Sequence, residues 1–244
     1  MHVLWLQFIS EVKVFLRYKV TVFWTFFFPL FFMVLFALLD FGGDAPLPYI
    51  NYLLPAMIMM ALLTTCFIST SIAFVLNREK GYYRRLFVTP LKKWTLLGGQ
   101  IASRFLIILL QTVFLILVGV IFFGARMPGK NFEFWAVLVM GIFAFLSIGF
   151  FLASIVRREE TVLPVSMIMF FMMLFLGGGF WPVSVMPKFL RYISKVLPST
   201  YFNEALFKTT IESVSLGSLG LHFLVMAAWF VCFLVLAVTF FKWE

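Results

Sequence analysis

Charge is what this sequence has least of. Only 12% of its 244 residues are Asp, Glu, Lys or Arg, and six runs of about 20 residues, the length that crosses bilayer hydrocarbon at helical rise, hold none of them. Histidine is scarce too, with His2 and His222 alone, and no two carboxylates share helical spacing within an apolar run. A membrane-embedded enzyme uses convergent acids, bases or metal ligands, so no catalytic site or metal site is expected on this chain. A proton- or ion-coupled carrier places ionisable groups at mid-membrane to bind its coupling ion, and the apolar runs offer none. If the protein moves something uphill, the energy comes from a partner. The two cysteines, Cys66 and Cys232, lack any Cys-x-x-Cys or Cys/His spacing and read as small core residues rather than a disulfide or metal site.

What is present is apolar. Hydrophobic residues make up 64% of the chain, and 35 residues are Phe; a water-soluble core has no use for so much apolar surface, so the natural solvent is a bilayer. A net charge of +9 would suggest nucleic acid in a soluble domain. Here the basic residues separate apolar runs, where they meet anionic membrane lipids and set orientation, and nucleic acid is not an expected partner. The prediction is one all-α integral membrane domain over 1–244, with six transmembrane helices at 20–39, 53–76, 105–123, 134–156, 162–181 and 221–241. The first run is too long for a signal-peptide core, and no small-x-small cleavage site follows it. Ahead of it, 1–19 predicts an amphipathic interfacial helix. Trp5, Phe8, Ile9, Val12, Phe15 and Leu16 fall within an arc of roughly 120°, and Gln7, Ser10, Glu11, Lys13 and Arg17 fall on the other side.

Orientation follows from Lys and Arg. With the N-terminus inside, Lys13, Arg17, Lys19, Arg78, Lys80, Arg84, Arg85, Lys92, Lys93, Arg104, Arg157, Arg158 and Lys242 are cytoplasmic, thirteen of the 19, while the first outer loop, "DFGGDAPLPYIN", has no basic residue. Both termini are predicted cytoplasmic in the inner or plasma membrane. The other long connection, 182–220, follows the glycines Gly177, Gly178 and Gly179, which can break the fifth helix, and is divided by Pro182, Pro187 and Pro198. Between the last two prolines, Phe189, Leu190, Tyr192, Ile193 and Val196 alternate with Lys188, Arg191 and Lys195. That pattern predicts a short helix on or re-entering the outer leaflet, serving either as an interfacial anchor or as a gate.

The cytoplasmic loop at 77–104 contains "REKGYYRRLFVTPLKKW". This stretch resembles the signature of membrane (permease) subunits of type-2 ABC exporters, with Glu79, Gly81, Arg84, Leu86, Thr89 and Pro90 at the matching positions. The resemblance extends to the interfacial helix, six spans, a Gly-rich fifth helix and "FWPVSVMPKFLRYISKVLPSTYFNEAL", which together look like that family's half-size six-helix form. It implies that the loop is a coupling helix docked in a separate cytoplasmic ATPase, which binds the ATP and Mg, and that two permease copies, as a homodimer or related heterodimer, enclose the path. The residues suit docking: Gly81 permits a bend, Pro90 limits the helix, and Tyr82, Tyr83, Leu86 and Phe87 offer apolar anchors among Arg84 and Arg85. The plainer reading is a loop made basic by topology alone, lying on anionic lipid.

Candidates for the path are Thr64, Thr65 and Ser69 in the second span and Met169, Phe170, Met173 and Phe175 in the fifth, where Met and Phe can repack around varied apolar cargo. Helix packing accounts for the same residues. Abundant Phe and scarce Tyr, Asn and Gln within the spans favour a hydrophobic or amphipathic cargo, such as a drug-like molecule or lipid. Polysaccharide or teichoic acid export by the same family, a self-sufficient channel or secondary carrier, and a non-transporting assembly factor or enzyme are the other readings.

Overall fold

The computed structural model describes residues 2–17, 19–39, 48–81, 93–126, 132–156, 158–181, 183–212 and 214–240, and no strand occurs among them. Ten α-helices are described: α1 (His2–Arg17), α2 (Lys19–Leu39), α3 (Ile50–Leu63), α4 (Thr70–Glu79), α5 (Lys93–Phe123), α6 (Phe132–Ile155), α7 (Glu159–Leu176), α8 (Lys188–Ser194), α9 (Pro198–Phe207) and α10 (Gly220–Phe240). A π-helical segment, Thr64–Ser69, joins α3 to α4, so that Ile50–Glu79 is one continuous span. Among the described residues, six spans are long and apolar enough to cross a membrane, as the sequence predicts.

The apolar runs do not all bury equally. In α3–α4 and in α6, 72% of the most apolar stretch is buried, against 17% in α2 and 11% in α10, which puts the first two at the centre and the last two at the lipid-facing periphery. The central pair meets closely. Ser71 Oγ donates to the Gly149 carbonyl at 3.0 Å, and the absent side chain of Gly149 leaves room for the Cys66 carbonyl. Peripheral α10 lies on α6 through Phe143–Phe230, Phe151–Phe233 and Phe151–Phe240 ring contacts. Its Cys232 is exposed while Cys66 is buried, so only one of the two cysteines is the core residue expected. The other stands on an outlying helix.

Three differences from the sequence reading have a physical cause. First, α5 begins at Lys93 rather than near Phe105, and its candidate span starts at Gly98. Gly98, Gly99, Gln100, Ser103 and Arg104 lower the hydropathy there, yet their polar atoms are used internally: Gln100 Nε2 donates to Glu11 Oε1 (3.3 Å), Ser103 Oγ to the Gln100 carbonyl (2.8 Å) and Arg104 Nη1 to Ser69 Oγ (3.0 Å). Second, Arg104, 8% exposed, therefore lies inside a span, which corrects the expectation that no span holds a charge. Third, α1 turns part of its polar arc inward. Gln7 is buried and bonds Glu11 (3.1 Å), whereas Trp5 and Leu16 are exposed. Gly98 and Gly99 leave α5 thin enough for Leu4 and Gln7 to lie against it.

Proline within α2 shows how the bundle satisfies its backbone without water. Pro29 has no N–H, so the Thr25 carbonyl one turn back loses its helical partner. Gln111 of α5, fully buried, donates to that carbonyl at 2.6 Å and accepts from Thr65 Oγ1 at 3.0 Å. One amide thus ties α2, the π-segment and α5, at a depth where an unpaired carbonyl is costly. Gln111→Leu should lower stability by about 1–2 kcal/mol, read as a drop in the thermal midpoint of detergent-solubilised protein; an unchanged midpoint would show that Thr25 finds another donor.

Candidate functional site

The two ends of the bundle differ in chemistry. One end, called basic here, carries α1, the end of α4, the start of α5 and the α6–α7 turn. The far end carries α8 and α9.

At the far end the three glycines close α7 in a defined way. Gly178 has φ +80°, a left-handed conformation that side chains disfavour. The Gly178 N–H bonds the Phe175 carbonyl (3.4 Å) and the Gly179 N–H bonds the Leu174 carbonyl (3.1 Å), the two bonds of a Schellman stop. Carbonyls left over are taken by the following hairpin. Ser194 Oγ donates to the Leu176 carbonyl at 2.6 Å and Asn203 Nδ2 to the Gly178 carbonyl at 2.8 Å. Within the hairpin, Thr200 Oγ1 bonds the Ser194 carbonyl (2.6 Å), Tyr201 OH the Lys195 carbonyl (2.8 Å) and Trp229 Nε1 of α10 the Val196 carbonyl (3.1 Å). The expected short helix between Pro187 and Pro198 is α8, with Phe189 and Tyr192 exposed. Unlike α8, α9 is embedded: Phe202 is fully buried, edge-on to Phe145 at 5.4 Å and over Gly141. Pro182 lies outside the described residues.

These elements enclose a cavity of about 1110 Å³, large enough for a drug-sized or larger ligand. Phe36 of α2, Tyr49, Tyr52, Leu53 and Ala56 at the start of α3, Gly177 to Trp181, and Lys195, Thr200, Tyr201, Asn203, Glu204 and Phe207 line it. Phe180 links its wall to both flanking helices, with ring contacts to Phe36 (5.5 Å) and Phe175 (5.3 Å). Apart from the Tyr49 and Tyr52 hydroxyls on the α3 side, its polar groups sit on α9 and just before it. Asn203 Oδ1 is buried without a hydrogen-bond partner among the described residues, and Glu204 pairs with Lys208 at 2.7 Å and lies 3.6 Å from His222 Nε2. Burial pushes the Glu204 carboxyl up, but the Lys208 hydrogen bond and charge, with His222, outweigh burial and hold it below its ordinary value. It is therefore a carboxylate at neutral pH.

At the basic end, α4 runs past the predicted span end at 76 and stops at Glu79. Gly81 has φ +66° and its N–H bonds the Arg78 carbonyl at 3.0 Å. The last two residues of α4, Arg78 and Glu79, reach across to the α6–α7 turn. Arg78 donates from Nη1 to the Ala153 carbonyl (3.3 Å) and from Nη2 to the Val156 carbonyl, which places a cation on the negative end of α6. Glu79 Oε1 accepts the Glu159 N–H at 3.0 Å, at the positive end of α7, whose own N-cap residue, Arg158, supplies no side-chain cap. Tyr82, Tyr83, Arg84, Arg85, Leu86, Thr89 and Pro90 lie outside the described residues.

Of the path candidates, the structure uses most for packing. Thr65 bonds Gln111, Thr64 bonds back to the Met60 carbonyl (2.7 Å), and Ser69 receives Arg104. Phe170 and Met173 belong to the core and Met169 packs on its edge, while Phe175 is exposed and stacks on Phe171. None of the seven lines the cavity, whereas Gly177, Gly178 and Gly179 do. The cavity's Tyr49 and Tyr52 stand at the start of the second span and Tyr201, Asn203 and Glu204 lie on α9, between the fifth and sixth spans, so all five escape a reading confined to apolar runs. Their signal is the clustering of Tyr beside Pro48, Pro55 and Pro198.

Comparison with known proteins gives these features a context. The profile of the ABC-2 type transporter family matches residues 2–211. The chain is 28% identical over 208 residues to YvfS of Bacillus subtilis, whose name proposes a transport permease, covering 83% of each chain. It is 23% identical over 203 residues to "ABC transporter G family member 20" of Dictyostelium discoideum, covering 80% of this chain and 27% of that one. It is also 21% identical over 170 residues to "Probable multidrug ABC transporter permease YbhR" of Escherichia coli, covering 70% and 46%. The chain thus spans less than half the length of the latter two relatives.

Proposed function

Because the chain belongs to the ABC-2 type transporter family, as a multi-pass permease subunit with six candidate spans, we propose that it forms the membrane path of an ATP-driven exporter. In this reading the basic end is cytoplasmic, the 77–94 loop docks a separate ATPase that binds ATP and Mg, with Tyr82, Tyr83, Leu86 and Phe87 as its apolar anchors, and two copies enclose the path. The cavity at the far end carries the reading. It joins the ends of α2, α3 and α7 under the α8–α9 hairpin, and its aromatic wall with polar groups mostly on one side suits an amphipathic cargo leaving the membrane. The family's glycan and teichoic acid exporters remain a second reading with its own support: Tyr49, Tyr52, Tyr201, Trp181 and Asn203 are aromatic and polar groups of the kind a sugar chain contacts.

Docking is tested by co-purification. The tagged chain should retain a soluble ATPase in stoichiometric amount, and Leu86→Asp with Phe87→Asp should remove it by placing two charges where apolar anchors are required. Nucleotide-independent transport by the purified chain would exclude the exporter reading. Stimulation of the complex's ATPase by a panel of lipids, drug-like amphiphiles and glycan carriers then separates the two cargo classes.

A further inference from the structure

We propose that Arg78 and Glu79 are positioning residues that lock the end of α4 to the α6–α7 turn, so that whatever moves the 82–92 loop moves the start of α7 with it. This rests on the docking reading for the source of the motion, but the lock itself is intramolecular. Two adjacent residues serve two opposite helix ends: the Arg78 guanidinium takes carbonyls of Ala153 and Val156 at the end of α6, and the Glu79 carboxylate takes the Glu159 N–H at the start of α7. Each charge matches the helix end it meets, and exchanging them would oppose both dipoles. The turn between α6 and α7 is short, and α7 has no side-chain cap of its own, so α4 completes the turn. Gly81, two residues on, makes a left-handed bend, so the lock sits in the last turn of α4, where the chain enters the loop. From the turn, α7 runs to the Gly178 stop at the cavity wall. The line from loop to cavity is thus α4, lock, α7. The other end of the loop enters α5, which is joined to α1 through Gln100 and Glu11 and to the π-segment through Arg104 and Ser69 and through Gln111 and Thr65, so both ends of the loop lead into one packed bundle.

Hydrogen–deuterium exchange on the purified full chain and on its ATPase complex tests this. In the chain alone, Glu79→Ala should speed amide exchange over 158–162 about fivefold, the scale of a lost helix cap, and Glu79→Gln, which keeps an acceptor oxygen, should restore the wild-type rate. In the complex trapped with ATP and vanadate, changes at 76–81 and at 158–162 should occur together in wild type and Glu79→Gln. In Glu79→Ala the ATPase should stay bound while 158–162 stops responding. Unchanged exchange in Glu79→Ala, or loss of the ATPase in both Glu79 variants as in the Leu86 variant, would overturn the lock and make Glu79 a surface or docking residue. If wild type retains no ATPase the docking reading fails by itself, and exchange over 158–162 in the chain alone still decides the lock.

Discussion

Gly149→Ala is expected to cost about 3 kcal/mol or more, at the upper end of overpacking effects, although alanine is the better helix former by about 1 kcal/mol. A Cβ at this position would overlap the Cys66 carbonyl. That atom is backbone and cannot rotate away as a side chain would. The carbonyl belongs to the π-segment Thr64–Ser69, and the Gly149 carbonyl is itself held by Ser71. Relief requires moving α6 off α3–α4, the two most buried spans. Gly119→Ala is the matched control. It has the same helical context, but its Cβ would meet only Leu54 and Ala125 side chains at ordinary contact, 3.5 Å and beyond, so it should be neutral or stabilising. Thermal midpoints of the two variants in one detergent compare them directly, and equal midpoints would mean that the central packing is looser than the structure shows.

The second large effect lies at the far end. Phe202→Ala should destabilise by about 3–5 kcal/mol, the range for emptying a buried aromatic site, because the ring is fully buried against Phe145 and over Gly141. The consequence is local as well as global. Phe202 is the largest fully buried side chain of α9, and without it the hairpin relies on its hydrogen bonds. In a Cys232→Ser background, Ser199→Cys, buried in the native fold, should become reactive to a maleimide only when Phe202 is replaced. Gly141→Ala gives an independent check. Alone it should be harmful, since its methyl would enter the Phe202 ring; combined with Phe202→Ala it should be neutral or better. Additive effects instead would show that the two positions are not in contact.

The spans were legible because hydrocarbon demands a length of apolar chain, and that demand is written residue by residue. The boundaries were not, where polar side chains are satisfied by other helices. Gln100, Ser103 and Arg104 lower local hydropathy, yet Glu11 and Ser69, distant in sequence, accept their bonds. The inward turn of Gln7 in α1 hides for the same reason, since only the partner helix makes it favourable. Among the candidate site residues, Gly81 and Gly178 could be read singly, because a left-handed turn is a local requirement. The tie between Glu79 and Glu159 is not local, and adjacency of an arginine and a glutamate at a span end was its only trace. The threonines and serines of the second span show the limit from the other side. Composition marks them as polar, but only geometry shows that Gln111, Arg104 and nearby carbonyls already occupy them.

The hairpin over the cavity is written unevenly into the chain. Its fastenings run from side chains, Ser194, Thr200, Tyr201, Asn203 and Trp229, to main-chain carbonyls of Leu176, Ser194, Lys195, Val196 and Gly178. Every residue offers a carbonyl, so the accepting positions carry almost no information about these bonds, and the specification rests with a few donors. A roof encoded this way can keep its shape while the residues that lend only carbonyls drift. Because Thr200, Tyr201 and Asn203 both fasten the roof and line the cavity, that face of the cavity can change its chemistry only together with the roof.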